Sequence, residues 1–344
     1  MSIGHRSMAA VVSAVALLLV GVSPAGAVAD PCSFSNDKTN PSIGSIAIEP
    51  TSVITGLVKQ TLTATVVASD NCGVRSLTLQ LNPVGNVTAG SIGLYNFTLV
   101  SGTAQAGTWQ ASTVLTDYLT GGDYEVTEVN VHDVNFGSLA AVYPAANQLM
   151  AREATTTTMA ASVVRLAAGV SVVLSGRVRV SALSDAAGPL ELQTLNATGT
   201  WSRLSGLPHD SYGSFSVAIK ATRNSQYRAV YAGDGKTAAS TSGVVGIQVA
   251  PFLTLRASTT GARVGQTVAL SGTVRPALAG QVVVLQRLKG KAWVKVSTAR
   301  LNATSAYRFA VRMNAKGAPA FRVVKLADRE RLMGASQVVR LRVG

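Results

Sequence analysis

The chain has 344 residues, with 30 Lys and Arg against 16 Asp and Glu and a formal net charge of +14, yet only 13% of it is charged and 5% aromatic. It is rich in Val, Ala, Thr, Gly and Ser, and no long helical period stands out, which sets a helical architecture aside. Three His and two Cys are few for a multi-histidine metal centre.

Residues 1–29 read as a secretory signal peptide. The start "MSIGHRS" carries an Arg and a His, and an uncharged apolar run follows from Met8 to Val22. Ala25-Gly26-Ala27 and Ala27-Val28-Ala29 both fit the small-x-small rule of signal peptidase, so cleavage is expected between Ala27 and Asp30. An uncleaved anchor is the alternative, because a run this long is near the lower limit for spanning. Cys32 follows Ala-Asp-Pro, which lacks the apolar and small residues ahead of a lipoprotein cysteine. No second apolar segment follows, and the C-terminal "VVRLRVG" has no sorting signal. The mature chain is therefore expected to be exported, without a transmembrane segment, and either soluble or non-covalently wall-associated. Its length fits two or three domains.

Export bears on Cys32 and Cys72, which in an oxidising compartment most often pair. Closing that loop stabilises by about 4 kcal/mol in the chain-entropy model. Two free thiols or an intermolecular bridge are the alternatives.

Further along, the pattern has period two. "QTLTATVVAS" (60–69) places Leu62, Ala64, Val66 and Ala68 on one face, and "SLTLQL" (76–81) does the same with Leu77, Leu79 and Leu81. Tyr124 and Val126 share one side of a later strand, while Val129 and Val131 need the other unless a bulge falls near Thr127–Glu128. "YRFAVRM" (307–313) alternates Tyr307, Phe309 and Val311 with Arg308, Ala310 and Arg312. Gly, Asn, Asp and Pro separate these segments, so half-buried antiparallel strands in a sandwich are expected.

The second half also repeats. "LSGRV" (174–178) returns as "LSGTV" (270–274), "TWSRL" (200–204) as "AWVKV" (292–296), and "FSVAIK" (215–220) as "YRFAVR" (307–312). "YRAVYAGD" (227–234) returns as "FRVVKLAD" (321–328), and "VVGIQV" (244–249) as "VVRLRV" (338–343). The offsets stay in the nineties, which is the size of a domain and too long for a solenoid unit. The linker "VAPFL" joins these two repeats closely, whereas some bending is expected earlier, around "ANQLMAREATTTT" (146–158). Trp109, nearer its following Tyr-x-Val strand, is not the equivalent of Trp201 and Trp293.

The stretches "SDNCGVRSLTLQL" (69–81), "GTWQASTVL" (107–115) and "GGDYEVTEVNVHDVNFG" (121–137) resemble bacterial immunoglobulin-like domains. The "LSG", Leu-Gln and Tyr-Arg landmarks of the two repeats are similar to those of tandem Ig-like repeats in secreted actinobacterial proteins. The resemblance covers nearly all of the mature chain. It implies an all-β fold of three tandem immunoglobulin-like β-sandwich domains, at 30–150, 151–250 and 251–344. Such modules serve as spacers, adhesins and glycan binders alike, so the fold alone does not decide the function.

In an Ig sandwich the start of the first strand and the loop after the second lie at the same end. Cys32 precedes a first strand at about 43–49 and Cys72 sits in that loop, so the bond is expected to staple the N-terminal arm to the tip of the first domain. Val126 stands where the second cysteine of an antibody-type bridge would be. The same tip carries Asp70, Asn71, Asp133 and Asn135, hard oxygen donors on two adjacent loops, of the kind calcium takes six to eight of. The competing reading is that these residues are loop formers capping their own backbone.

A search for catalytic patterns finds no GxSxG, HExxH or glycine-rich phosphate loop, and His132 and His209 fall in separate domains. "SNDK" (35–38) matches Ser-x-x-Lys without the helix that motif requires. Asp117, Asp123, Glu125 and Glu128 read as turn and solvent-facing residues rather than a glycosidase pair. An enzyme is not expected.

Charge is distributed unevenly. Residues 30–150 hold 3 Lys and Arg against 9 Asp and Glu, residues 151–250 hold 9 against 5, and residues 251–344 hold 17 against 2. Alternation places Arg308, Arg312, Arg322, Arg340 and Arg342 outward, and Arg287, Lys289, Lys291 and Lys295 cluster around a hairpin. A basic face of this density concentrates polyanions, which for an exported bacterial chain means anionic cell-wall or envelope polymer. A solvated surface that keeps the protein soluble is the other reading. Nucleic acid is not expected as a specific partner, because no aromatic platform accompanies the cations. The function expected is a monomeric, non-catalytic surface rod for adhesion, spacing or envelope association. The alternative is a glycan- or protein-ligand module using the tip loops, assisted by calcium, the single cofactor considered.

Overall fold

The computed structural model describes residues 30–344 except 57, 86–89, 116–118, 136, 142–147, 182–183 and 277. The expected signal peptide and Asp117 lie outside the described residues. Every regular element described is a strand.

Strand Ser42–Glu49 is followed by Pro50, which has no N–H to continue a ladder, and the chain then changes sheets. One sheet runs in the order Ser42–Glu49, Thr61–Ser69, Ala106–Val114, Thr98–Gly102. The other runs Ser52–Thr55, Gln148–Glu153, Gly122–Asp133, Val74–Pro83, Ile92–Leu94, with Ser138–Ala141 also paired to Gly122–Asp133. Ser52–Thr55 lies parallel to Gln148–Glu153, while the other pairings of this sandwich are antiparallel. Setting aside the short Ser52–Thr55, Ile92–Leu94 and Ser138–Ala141 segments, the remaining seven strands, numbered in chain order, form sheets ordered 1-2-5-4 and 7-6-3, which is an immunoglobulin sandwich.

The alternation explains which side chains meet. Leu62, Ala64, Val66 and Ala68 face Leu77, Leu79 and Leu81 in one core, which also holds Tyr124, Val126, Val129 and Val131. The last four share a core because Leu81 pairs with Val126 and Gln80 with Glu128, leaving Thr127 as an extra residue. That bulge moves the second half of the strand by one position and returns its Val residues to the inside. Trp109 is in this core, whereas Trp201 and Trp293 are half-exposed on outer faces, so the distinction between them has a structural basis.

Two further cores follow the same plan, one between Leu166 and Val249 and one between Leu253 and Val343. In the second sandwich Thr155–Ala161, Ser171–Val180 and Ser214–Lys220 oppose the order Arg165–Ala167, Val245–Ala250, Ser225–Tyr231, Leu190–Leu195, Trp201–Gly206. In the third, Thr267–Arg275 pairs with Ala306–Arg312, and Val282–Lys289 lies between Ala292–Arg300 and Ala320–Lys325. The glycine of "LSG" has the same job twice. A Cβ on Gly176 would overlap the Thr158 carbonyl and press on Phe215, and one on Gly272 would overlap the Thr254 carbonyl and press on Tyr307.

The joints are tight, which corrects the expected bending around 146–158. Strand Gln148–Glu153 belongs to the first sandwich, three residues past the expected division at 150, and Thr155 already starts the second. Ala154 between them is buried, with its N–H on the Thr55 carbonyl and its C=O on the Ser181 N–H. Glu153 is fully buried and accepts from the Gly121 N–H (2.9 Å), the Ser184 hydroxyl (2.7 Å) and the Ser184 N–H (3.1 Å). Its backbone bonds to Lys236 and Ala238, in a loop of the second sandwich. With so many polar groups bonded across it, the joint leaves no free linker, because bending would break those hydrogen bonds.

The second joint repeats the device. Asp234 Oδ1 accepts from the N–H groups of Lys236 and Thr237, and Asp328 Oδ1 from those of Glu330 and Arg331. Each Asp therefore shapes the loop that presses on the preceding sandwich. Glu330 O accepts from Asn224 N–H (2.6 Å), Arg331 Nε donates to Thr222 O (3.1 Å), and Leu332 N–H donates to Val249 O (2.9 Å).

Candidate functional site: the stapled tip and the basic end

Cys32 and Cys72 are joined, with their Cα atoms 5.2 Å apart, and the bond holds residues 30–41 against the loops of the first sandwich. The four tip residues predicted from sequence come to one end, where Asp37 from the arm joins two of them. Asn71 Nδ2 donates to Asp37 Oδ1 (3.3 Å), and Asn135 Nδ2 donates to Asp37 Oδ2 (3.1 Å) and to the Cys32 carbonyl (2.9 Å). The Asn135 hydrogen bond, helped by Thr39 N–H and Asn71, holds the Asp37 carboxyl below its ordinary value against the opposing effect of burial.

Asp70 and Asp133 are both buried, and each caps its own loop. Asp70 Oδ1 accepts from the N–H groups of Cys72 and Gly73 (2.8 Å each), and Asp133 Oδ1 from those of Asn135 (2.7 Å) and Gly137 (2.8 Å). The loop-former reading therefore accounts for these two oxygens. It does not account for Asp70 Oδ2, which is buried and has no hydrogen-bond partner. Ligand atoms of Asp37, Asp70 and Cys72 lie within 4.8 Å of one another, although the Cys72 sulfur is committed to the disulfide.

The nine cations predicted to bind polyanion do not form one face. Lys295, Gln286 and Arg322 sit directly opposite one another on successive strands, and Arg340 is opposite Ala320 on the same sheet. Arg308 and Arg312 lie on the other sheet, where Arg308 and Arg256 flank Ser271. Arg287, Lys289 and Lys291 are at the hairpin between Val282–Lys289 and Ala292–Arg300. Arg342 pairs with Gly261 in a short parallel edge, so it is not on a shared sheet with Arg322 and Arg340.

One feature escaped the sequence reading. The Arg322 guanidinium lies 4.4 Å over the Trp293 ring with its Nε on Gln286 Oε1 (2.8 Å), and Arg228 does the same with Trp201 (4.4 Å) and Gln193 (2.9 Å). The repeated Leu-Gln, Tyr-Arg or Phe-Arg and Trp landmarks are the signal that could have found it. An aromatic ring does accompany these cations, correcting the view that none does, but the guanidinium covers one of its faces. Such a pair fixes the Arg in place.

Of the residues considered for catalysis, Asp123 pairs with Arg152 (3.1 Å) and Glu128 accepts from Asn130. His209 lies between the carbonyls of Asp210 and Gly188 (3.0 Å each), while His132 is exposed on another sandwich. Among the described residues no helix is long and apolar enough to cross a membrane.

No protein-family model and no curated protein matches the chain. Solved structures similar to it include the tetra-tandem repeat in the extending region of a large adhesion protein, at 15% identity over 86% of this chain and 73% of that one, with a TM-score of 0.39. The I-band fragment I67–I69 from titin is similar at 10% identity over 89% and 98%, TM-score 0.40. FdeC, an Escherichia coli adhesin, is similar at 14% identity over 88% and 98%, TM-score 0.29. The class of protein defined by the strand order is a tandem array of immunoglobulin-like sandwiches, and that assignment rests on the chain's own topology.

Proposed function

We propose that this is a secreted, non-catalytic surface rod, in which three Ig-like domains in series serve adhesion or spacing. The carrying observation is the pair of joints, each closed by an Asp-shaped loop of the following sandwich and each with its polar groups hydrogen-bonded. A chain evolved for independent ligand-binding modules has little need of such joints, whereas a spacer does. The third domain, with 17 Lys and Arg against 2 Asp and Glu, holds the rod to an anionic wall or envelope polymer, and the acidic tip projects.

Small-angle scattering on the mature chain tests the rod. An elongated particle is expected, and a compact one overturns the proposal. Binding of the mature chain to a cell-wall fraction tests the anchor, with retention falling steeply between about 50 and 200 mM salt. Reversing Lys289, Lys291 and Lys295 to Glu is expected to release the protein more than reversing Arg308 and Arg312. Salt-independent retention refutes the electrostatic anchor.

A further inference from the structure

We propose that the stapled tip is a calcium site whose anionic ligands are Asp37, from the arm, and Asp70, from the loop after the second strand. The starting point is Asp70, 6% exposed, with Oδ1 saturated by two N–H donors and Oδ2 buried without a donor. A buried carboxylate oxygen left bare is costly, and a donor, a proton or a cation must relieve it. No described donor reaches it.

The second carboxylate decides among these. Asp37 brings a ligand atom within 4.8 Å of Asp70. Two oxygens on one calcium, each at about 2.4 Å, stand at most about 4.8 Å apart, so the pair is close enough to share one ion. Lys38 acts on Asp37 only through space. Two neighbouring carboxylates and a third buried on the adjoining loop concentrate negative charge at the tip, which a divalent cation balances.

The remaining donors are also hard. The Asn71 and Asn135 side-chain amides already touch Asp37, and turning either presents an oxygen in place of the nitrogen. The Cys32 carbonyl, now bonded to Asn135, is free to ligate once that amide turns. The one sulfur in the cluster is tied up in the disulfide, which disfavours zinc and leaves an oxygen set suited to calcium. Asp133 keeps its place as the cap of the neighbouring loop and is not among the direct ligands. The bond Cys32–Cys72 becomes part of the site, because it holds Asp37 against Asp70.

Isothermal titration of the mature full-length chain with calcium chloride, after exhaustive chelation, tests this. One binding event is expected, with affinity falling at least tenfold in Asp37→Asn and in Asp70→Asn and on replacing both cysteines by Ser. Thermal melting should rise with millimolar calcium in the wild type alone. Asp37 lies in the arm outside the core, so Asp37→Asn decides the matter if Asp70→Asn fails to fold. Absence of binding at millimolar calcium, binding retained in Asp37→Asn, or equal affinity for magnesium overturns the assignment. Scattering and wall binding without calcium report on the rod separately, so either proposal can fail alone.

Discussion

Replacing Glu153 by Ala is the sharpest test of how the first two sandwiches are held. The side chain is 0% exposed and takes three hydrogen bonds, two on Oε1 and one on Oε2. Removing it strands the buried Gly121 N–H, at a cost of about 1–3 kcal/mol, while the partly exposed Ser184 groups recover some bonding to water. The total loss is then about 2–4 kcal/mol. At about 4 °C per kcal/mol for a sandwich of this size, the joint-coupled melting transition falls by about 8–16 °C. Glu153→Gln is expected to lose about half as much. Its Oε1 keeps two donors, but its amide nitrogen meets the Ser184 N–H, donor against donor. Differential scanning calorimetry with scattering on the same samples reads both effects, and the transition of the third sandwich serves as an internal control. Unchanged melting and an unchanged scattering profile in Glu153→Ala would refute the idea that this carboxylate closes the joint.

Two further outcomes follow from the geometry. Substituting both cysteines by Ser should cost the first sandwich about 4 kcal/mol, measured by urea denaturation, since the bridge spans a sequence separation of 40; a loss below about 1 kcal/mol contradicts this account of the staple. Acid should loosen both joints. Asp328 is held below 3.8 chiefly by the Lys325 hydrogen bond, and Asp234 is too, where the Lys236 and Thr237 donors outweigh the upward push of burial. Their contribution is whole above the ordinary value of 3.8 and is lost as pH falls through the depressed one, so melting temperature should drop below about pH 4. Asp328→Asn should flatten that fall, and an acid limb as steep as the wild type's rules Asp328 out as a source.

Much of this molecule was already legible along the chain. Strict alternation decides which side chains face inward, and the break at Tyr124, Val126, Val129 and Val131 even locates the bulge, because a period of two leaves only one way to bury all four. The repeats carry the second sandwich onto the third, and the cysteine count, taken with the expectation of export, pairs Cys32 with Cys72. Alternation says inside or outside, however, and not which of two outer faces. The basic residues therefore read as one surface until the sheets place Arg308 and Arg312 on one and Lys295 and Arg322 on the other. The joints were illegible for a similar reason. Glu153 finds its donors at Gly121 and Ser184, about thirty residues away in each direction, and no local pattern records such a meeting. Asp37 meets Asn71 and Asn135 across still longer separations, and it does so only because the arm is folded back and locked by the disulfide. Local sequence determined the strands and their faces; the packing of distant segments alone decided which charged groups share a site.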